Sequence, residues 1–483
     1  MSDNHVALVG KVWNYAHVLR DAGVSYGDYV EQITCLLFLK MDEERSEQLG
    51  ELSIVPEACR WDRLRDLSGE KLGKAYANTL TTLSGMGGLL GAIYLKAKNA
   101  IEDPARLQRL IQLIDGETWL GLGVDVKGAI YEGLLERNAA EIKSGAGQYF
   151  TPRPLIDAIV EVVAPEPGKT VCDPACGTGG FLLQAYERMK DHPKARDKRI
   201  GMKLRRDTFF GFDIVPGVVR LAAMNLYLHG IGEDESPIKR EDALLAKPNT
   251  NWDYVLTNPP FGRKQSFKVF TDDGDIETER EDYQRADFRV TTSNKQLNFL
   301  QHVMTILKED GTAAIVLPDN VLFEAGAGEK VRRRLLHDFD CHTLLRLPTG
   351  IFYKQGVKAN VAFFDKYVGG EAAQTRDLWI YDFRTNRNFT LKERPLRRAD
   401  LDDFVAAARL AERGKRKESE RFRRFAYADL IKRDKLNLDI FWLKDASLDD
   451  PDSLAPPAEI AAEIAESLEA ALARFRSVAE RLG

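Results

Sequence analysis

Short apolar runs alternating with helical patterns predict an α/β protein built on a doubly wound, mostly parallel sheet, with a helical domain before it and a helical tail after it. Three observations carry this expectation. Past Gly145 the strand-like runs fall at 170–173, 208–213, 252–257, 312–318, 342–347 and 358–364, with helical patterns at 155–163, 180–189, 218–228 and 295–307. Ahead of them, Leu8, Val9, Val12, Trp13, Ala16 and Leu19 recur at helical spacing, and 29–41 and 126–142 continue the pattern on either side of a Gly85-Met86-Gly87-Gly88 turn. Behind them, after Pro456-Pro457, Ile460, Ile464, Leu468, Leu472, Phe475 and Leu482 form a stripe spaced mostly by four and three.

The expected organisation is therefore a helical domain over 1–140, a catalytic α/β domain over 141–370, a mixed extension over 371–455 with a charged helical stretch around 406–424, and an amphipathic helix over 456–483. The terminal stripe packs either on its own domain or on another chain. The polar stretch 263–292, with Thr271-Asp272-Asp273-Gly274-Asp275 inside it, breaks the α/β rhythm and reads as a long loop, functional or disordered.

Composition narrows the class. A chain of 483 residues exceeds one ordinary core, and 44% hydrophobic with 30% charged residues describes a water-soluble protein. No apolar run approaches the ~18 residues of a membrane span. The start, Met1-Ser2-Asp3-Asn4-His5, has no basic segment leading into an apolar one, as a secretory signal would. Five scattered cysteines fit a reducing cytoplasm, and Cys172 and Cys176 lack the second pair that a zinc site needs, so no metal is expected. A net charge of −5 does not describe a self-sufficient clamp on nucleic acid; with a DNA substrate, a partner would supply much of the grip.

The most specific segment is Asp173-Pro174-Ala175-Cys176-Gly177-Thr178-Gly179-Gly180-Phe181, at the end of one predicted strand and the start of a helix. Glycines there let the backbone approach a ligand. A dinucleotide fingerprint would place glycine at Leu182, and Asp173 would repel a pyrophosphate. An acid in that position suits a ligand carrying an ammonium group, and S-adenosyl-L-methionine carries both an ammonium and a sulfonium. Asp213, ending the next strand, is placed to accept both ribose hydroxyls, or else caps the following helix. Asp242 is placed for the adenine amino group, or is a plain surface acid. Upstream, within Gln148-Tyr149-Phe150-Thr151-Pro152-Arg153, Thr151 and the amides around it would cap a helix starting near Pro154 and hold the cofactor's carboxylate, a second wall to a pocket beside the Asp173 loop.

The strand at 252–257 runs into Asn258-Pro259-Pro260-Phe261. An aromatic amino group is a poor nucleophile because its lone pair is delocalised into the ring. Two acceptors, the Asn258 side-chain oxygen and the Pro259 carbonyl, can take its two hydrogens and aim the lone pair at a sulfonium methyl. The prolines stiffen the turn, and Phe261 offers a face to a base flipped out of a duplex. A 5-methylcytosine mechanism needs a nucleophilic cysteine beyond the cofactor loop, and none stands in that context.

These motifs, in this order, resemble the adenine-specific DNA methyltransferases. More narrowly, the chain resembles the modification subunit of type I restriction–modification systems. The likeness extends through Arg220-Leu221-Ala222-Ala223-Met224-Asn225-Leu226 and Leu347-Pro348-Thr349-Gly350-Ile351-Phe352 to Gly356-Val357-Lys358-Ala359-Asn360-Val361. It implies a Rossmann-like methyltransferase fold, cofactor contacts from Gln148 through Arg153, Thr178 through Gly180 and Asp213, and Asn258, Pro259 and Phe261 around the target adenine. It also implies double-stranded DNA as substrate, two such subunits on one DNA specificity subunit, a restriction subunit where present, and an inter-chain role for the last helix. The competing readings are a stand-alone adenine DNA methyltransferase and a protein glutamine N5-methyltransferase, which usually has Tyr in the place of Phe261.

Overall fold

The computed structural model describes residues 26–50, 52–119, 151–232, 235–261, 266–270, 276–280, 283, 285–352, 356–391, 393–444 and part of 458–472. The apolar repeats predicted at 8–19 and 126–142 lie outside these residues. The chain forms two compact units, one comprising 1–148 with 163–313 and the other 149–162 with 314–483.

In the first unit, helices α1 (Tyr26–Leu49), α2 (Gly69–Ser84), α3 (Gly88–Ile93) and α4 (Pro104–Asp115) form the helical part. The predicted 29–41 run lies within α1, and the glycine turn separates α2 from α3. Each helix has a local cause. The Asp103 side chain accepts the Ala105 amide at the start of α4, with Pro104 at its first turn. Leu107, Leu110, Ile111 and Ile114 then give α4 its buried stripe. Helix α5 (Arg153–Val163) belongs almost wholly to the second unit.

The sheet portion of the first unit comprises β1 (Val171–Asp173), α6 (Gly180–Lys190), α7 (Lys198–Arg206), β2 (Phe209–Asp213), α8 (Pro216–Leu228), β3 (Ile238–Arg240) and β4 (Trp252–Thr257). Next come a two-stranded antiparallel ribbon of β5 (Ser266–Phe270) and β6 (Ile276–Arg280), then α9 (Lys295–Ile306) and β7 (Leu307–Pro318), within which the chain passes from one unit to the other. Its strands lie in the order β7-β4-β1-β2-β3, and β1 pairs in parallel with β2 and β4, as β2 does with β3.

Helix α8 is buried on every side from Val218 to Leu228, as a helix held between two layers must be. It packs on β2 and β3 and also on α1 and α3. Arg220 is the charged residue inside it. Its guanidinium donates to the Ile93 carbonyl at 2.6 Å and the Leu95 carbonyl at 2.8 Å, and pairs with Glu31 at 2.9 Å. That side chain fastens the helical part to α8.

The second unit contains α5, α10 (Ala327–Asp338), β8 (Asp340–Leu347), β9 (Ala359–Lys366), β10 (Asp377–Asp382), α11 (Asp402–Ala408) and β11 (Phe422–Ala426). Its strand order is β11-β10-β8-β9-β7, with β8/β9 and β10/β11 antiparallel and β10/β8 parallel, so the fold is mixed rather than uniformly parallel.

Two expectations need correction. The stretch 406–424 is not one helix: α11 ends at Ala408, and Phe422–Ala426 pairs with β10, where Phe422 meets Trp379 with ring centroids 4.9 Å apart. The 263–292 stretch is not a plain loop either, since it carries the β5/β6 ribbon and the buried side chains of Tyr283, Arg285, Phe288 and Val290. The described residues of 458–472 are helical and exposed, with Ile464, Leu468 and Leu472 each at least half accessible.

Candidate active site

The parallel register puts the chemistry-bearing strand ends along one edge. Val171 pairs with Tyr254 and Cys172 with Val255, so Asp173 and Thr257 end neighbouring strands on the same side. Asp173 also pairs with Gly211, and Asp213 with Arg240, which brings Asp213 and the turn carrying Asp242 to that edge. In open α/β sheets this carboxyl edge is where ligands bind.

The loop after β1 is held by three hydrogen bonds, one to β2, one within the loop and one to α8. The Cys176 amide donates to the Phe212 carbonyl at 2.9 Å, the Gly179 amide to the Cys176 carbonyl at 2.8 Å, and the Asn225 side chain to the Thr178 carbonyl at 3.1 Å. Gly179 caps α6 with φ +83°, a left-handed conformation natural to glycine, and a Cβ there would lie 2.6 Å from Leu226 Cδ1. Glycine at 179 is therefore required twice over. Thr178 and Gly180 beside it are buried.

Asp173 is 1% exposed. Its Oδ1 accepts the Ala175 amide at 3.0 Å and the Thr257 hydroxyl at 2.6 Å. Burial pushes this carboxyl up to about 7, and those two donors restrain the rise. The acid thus ties the glycine loop to the strand that carries Asn258. Asp213 is half-buried and its Oδ1 accepts the Val215 amide at 2.9 Å; burial raises it, and the amides of Val215, Gly177 and Ile214 hold it back. Beside it Ile214 and Val215 are exposed at 56% and 37%, an apolar step that sequence reasoning passed over.

Asp242 is not a plain surface acid. Its Oδ1 accepts the Leu244 amide at 2.9 Å and its Oδ2 the Tyr283 hydroxyl at 3.1 Å. Tyr283, Leu244, Phe288 and Phe299 form a buried cluster against which Ala175 of the glycine loop packs. Arg285 locks that cluster, donating to the Ala243 carbonyl at 3.2 Å and approaching His302 Nδ1 at 2.9 Å, with its guanidinium 4.1 Å from the Phe288 ring centre. Burial and the Arg285 charge push His302 down to about 3, so it stays neutral. Tyr283 left no local signature, because Asp242 stands 41 residues earlier, and Arg285 joins the distant Ala243 and His302 as well as its neighbour Asp287.

Asn258 and Pro259 are buried, while Pro260 and Phe261 are partly accessible. Asp253, at the start of the same strand, is held well below the carboxylate range: the Thr170 amide (2.9 Å), the Thr170 hydroxyl (2.7 Å) and Lys308 (2.9 Å) outweigh its partial burial. Both ends of β4 are therefore fixed. Cys172 and Cys176 are buried with thiols pushed well above their ordinary value, which suits packing rather than nucleophilic attack.

Of the upstream motif, Gln148, Tyr149 and Phe150 lie outside the described residues. Thr151, Pro152 and Arg153 belong to the second unit, where the Pro152 carbonyl accepts the Leu155 and Ile156 amides at 2.9 and 3.1 Å. The helix begins at Arg153, one residue earlier than expected. Among the described residues no three His, Cys, Asp or Glu side chains form a metal-binding group, and no helix is long and apolar enough to cross a membrane.

A doubly wound sheet with a glycine loop after its first strand, acids closing the first two strands and Asn-Pro-Pro-Phe closing the fourth defines the class of amino-group methyltransferases. Comparison with known proteins agrees. Residues 123–446 match the N-6 DNA Methylase family, and residues 8–114 match the HsdM N-terminal domain. The chain is 37% identical to the type I restriction enzyme StySJI methylase subunit of Salmonella typhimurium and 36% identical to the EcoKI methylase subunit of Escherichia coli, in each case over 99% of this chain and 96% of the relative. Among solved structures, the EcoKI M protein is 32% identical with a TM-score of 0.54, covering 99% of this chain and 96% of that one. A chain from a study of complex assembly and conformational transition in the type I R-M system is 26% identical with a TM-score of 0.69, covering 99% and 98%. The protein belongs to the N-6 DNA methylase family, in the branch of the type I restriction enzyme methylase subunits.

Proposed function

We propose that this chain transfers a methyl group from S-adenosyl-L-methionine to the N6 amino group of adenine in double-stranded DNA, as the modification subunit of a type I restriction–modification complex in the cytoplasm. The observation that carries the reading is the join between the two motifs: the Thr257 hydroxyl, one residue before Asn258, donates to Asp173, the acid that opens the glycine loop.

The residues fit the cofactor by their chemistry. Asp213 offers carboxylate acceptors to a ribose, and Ile214 offers an exposed apolar face to a flat ring beside it. When bound, S-adenosylmethionine supplies an electrophilic methyl on sulfur. Asn258 Oδ1 and the Pro259 carbonyl accept the two amino hydrogens of the base and orient the nitrogen lone pair; Phe261 stacks on the ring and Pro260 stiffens the turn. Asp242, gripped by Tyr283, shapes the wall on the adenine side of the cofactor. The proton lost from the product passes to water, so no dedicated base is needed.

One specificity subunit with two copies of this chain, joined by a restriction subunit where one exists, is the expected assembly. The exposed Ile464, Leu468 and Leu472 support an inter-chain role for the last helix. The test is product analysis: the chain with its specificity subunit, methyl-labelled donor and cognate duplex should place label on N6-methyladenine. Label on cytosine, or on protein glutamine, would refute the proposal.

A further inference from the structure

We propose that the segment from Arg188 to Arg206 is a second contact surface for nucleic acid, one that grips phosphates away from the target base; the proposal rests on the DNA substrate assigned above. This stretch holds nine Lys or Arg against two Asp, in a chain whose net charge is −5. Screening confines electrostatic reach to about 8 Å at physiological salt, so a bound duplex feels this local excess rather than the chain's total.

Several charges in the segment already have protein partners. Lys190 pairs with Glu187 at 2.5 Å, Lys194 with Glu166 at 2.7 Å, and Lys203 donates to the Gly168 carbonyl at 2.7 Å. Asp197 is committed to capping α7, accepting the Arg199 and Ile200 amides at 2.9 and 3.0 Å. Arg188, Arg196, Lys198 and Arg199 are exposed, and α7 ends in Arg205 and Arg206, which are exposed too but engage partners within the chain.

The surface has the composition of a phosphate-binding face and lacks that of a protein interface. Its large exposed apolar side chain is Met202, and it contains no Phe, Tyr or Trp. Protein interfaces are anchored by buried aromatic and aliphatic side chains, and interfacial membrane helices need an apolar face. Backbone phosphates need only Lys and Arg.

Its place in the fold sets what it can do. Helix α6 starts at the glycine loop and carries the chain roughly 15 Å along its axis to Lys190, at about 1.5 Å per residue. Helix α7 then leads into the amino end of β2, the end opposite Asp213. The segment is removed from the reacting groups, so it contributes affinity and not chemistry.

The test uses the complex of this chain with its specificity subunit. The variant Arg196→Glu/Lys198→Glu/Arg199→Glu keeps Asp197 and hence the helix cap. Duplex affinity is measured by fluorescence anisotropy from about 50 to 200 mM salt. Each phosphate that is no longer neutralised lowers the slope of log K against log salt by about 0.9, so the slope should fall by roughly 1 to 3 and affinity by about tenfold or more. The corresponding Gln variant should lie between it and the wild type. Turnover at saturating DNA and cofactor affinity should not change. An unchanged slope and affinity would overturn the proposal, as would a variant that loses only assembly with another subunit. Wild-type complex that binds duplex with the full slope but transfers no methyl would instead sink the assigned activity and leave this surface standing.

Discussion

Asp173→Asn removes a buried titratable group while keeping the side chain's shape and its capacity to accept the Ala175 amide and the Thr257 hydroxyl. In the wild type burial raises this carboxyl from 3.8 to about 7. Between those values the folded protein holds a proton that the unfolded chain has released. The stabilising contribution is therefore complete below about pH 4, declines as pH rises, and is exhausted above 7. At 1.36 kcal/mol per pH decade, ionising the buried acid costs the fold about 4 kcal/mol in all, of which roughly 2–3 kcal/mol falls between pH 5 and pH 8. Asn does not titrate. The stability difference between variant and wild type should thus move in the variant's favour by roughly 2–3 kcal/mol from pH 5 to pH 8, with titrating groups that do not interact with Asp173 cancelling in the comparison. Denaturant unfolding followed by tryptophan fluorescence measures it, since Trp252 sits in the strand paired with β1. A difference that does not change with pH would refute the claim that this acid is held in its proton-binding state by burial.

Three further substitutions probe neighbouring parts of the molecule. Gly179→Ala must accept φ +83° and displace Leu226, so it should cost about 1–3 kcal/mol of stability, read as a lowered denaturation midpoint, and weaken cofactor binding by calorimetry. Asp213→Ala should lower cofactor affinity by roughly 1–3 kcal/mol, the loss from leaving a polar ligand group unpaired; unchanged binding would remove Asp213 from the site. Arg220→Ala leaves Glu31 and two carbonyls without their donor and should destabilise the first unit by about 3–5 kcal/mol, seen as faster proteolysis between α1 and α4.

Much of this molecule was legible in its sequence because the signals are local. The strand 252–257 and the starts of helices at Gly180 and Lys295 coincide with the structure, since apolar runs and glycine breaks mark them directly. Strand β3 was missed because it is three residues long, with Lys239 and Arg240 exposed. The 406–424 stretch misled because its charges favour a helix, whereas Phe422 is held in a strand by aromatic partners on β10. The site shows the same division. Asp173, Asp213 and Asn258 announced themselves by standing at strand ends, and strand order put those ends on one edge. The bond from Thr257 to Asp173 spans 84 residues, and that from Tyr283 to Asp242 spans 41. No pattern in the sequence connects such pairs; only the sheet register and the packing of the segment after β6 do.

The most direct test of the methylation chemistry is Asn258→Ala in the complex with the specificity subunit, with cofactor binding and single-turnover methyl transfer measured on the same preparation. If Asn258 is one of the two acceptors of the amino hydrogens, as proposed, its removal should lower transfer by about 10²-fold or more, while cofactor affinity stays within about twofold. Transfer at the wild-type rate would contradict the claim that Asn258 prepares the amino group for methylation.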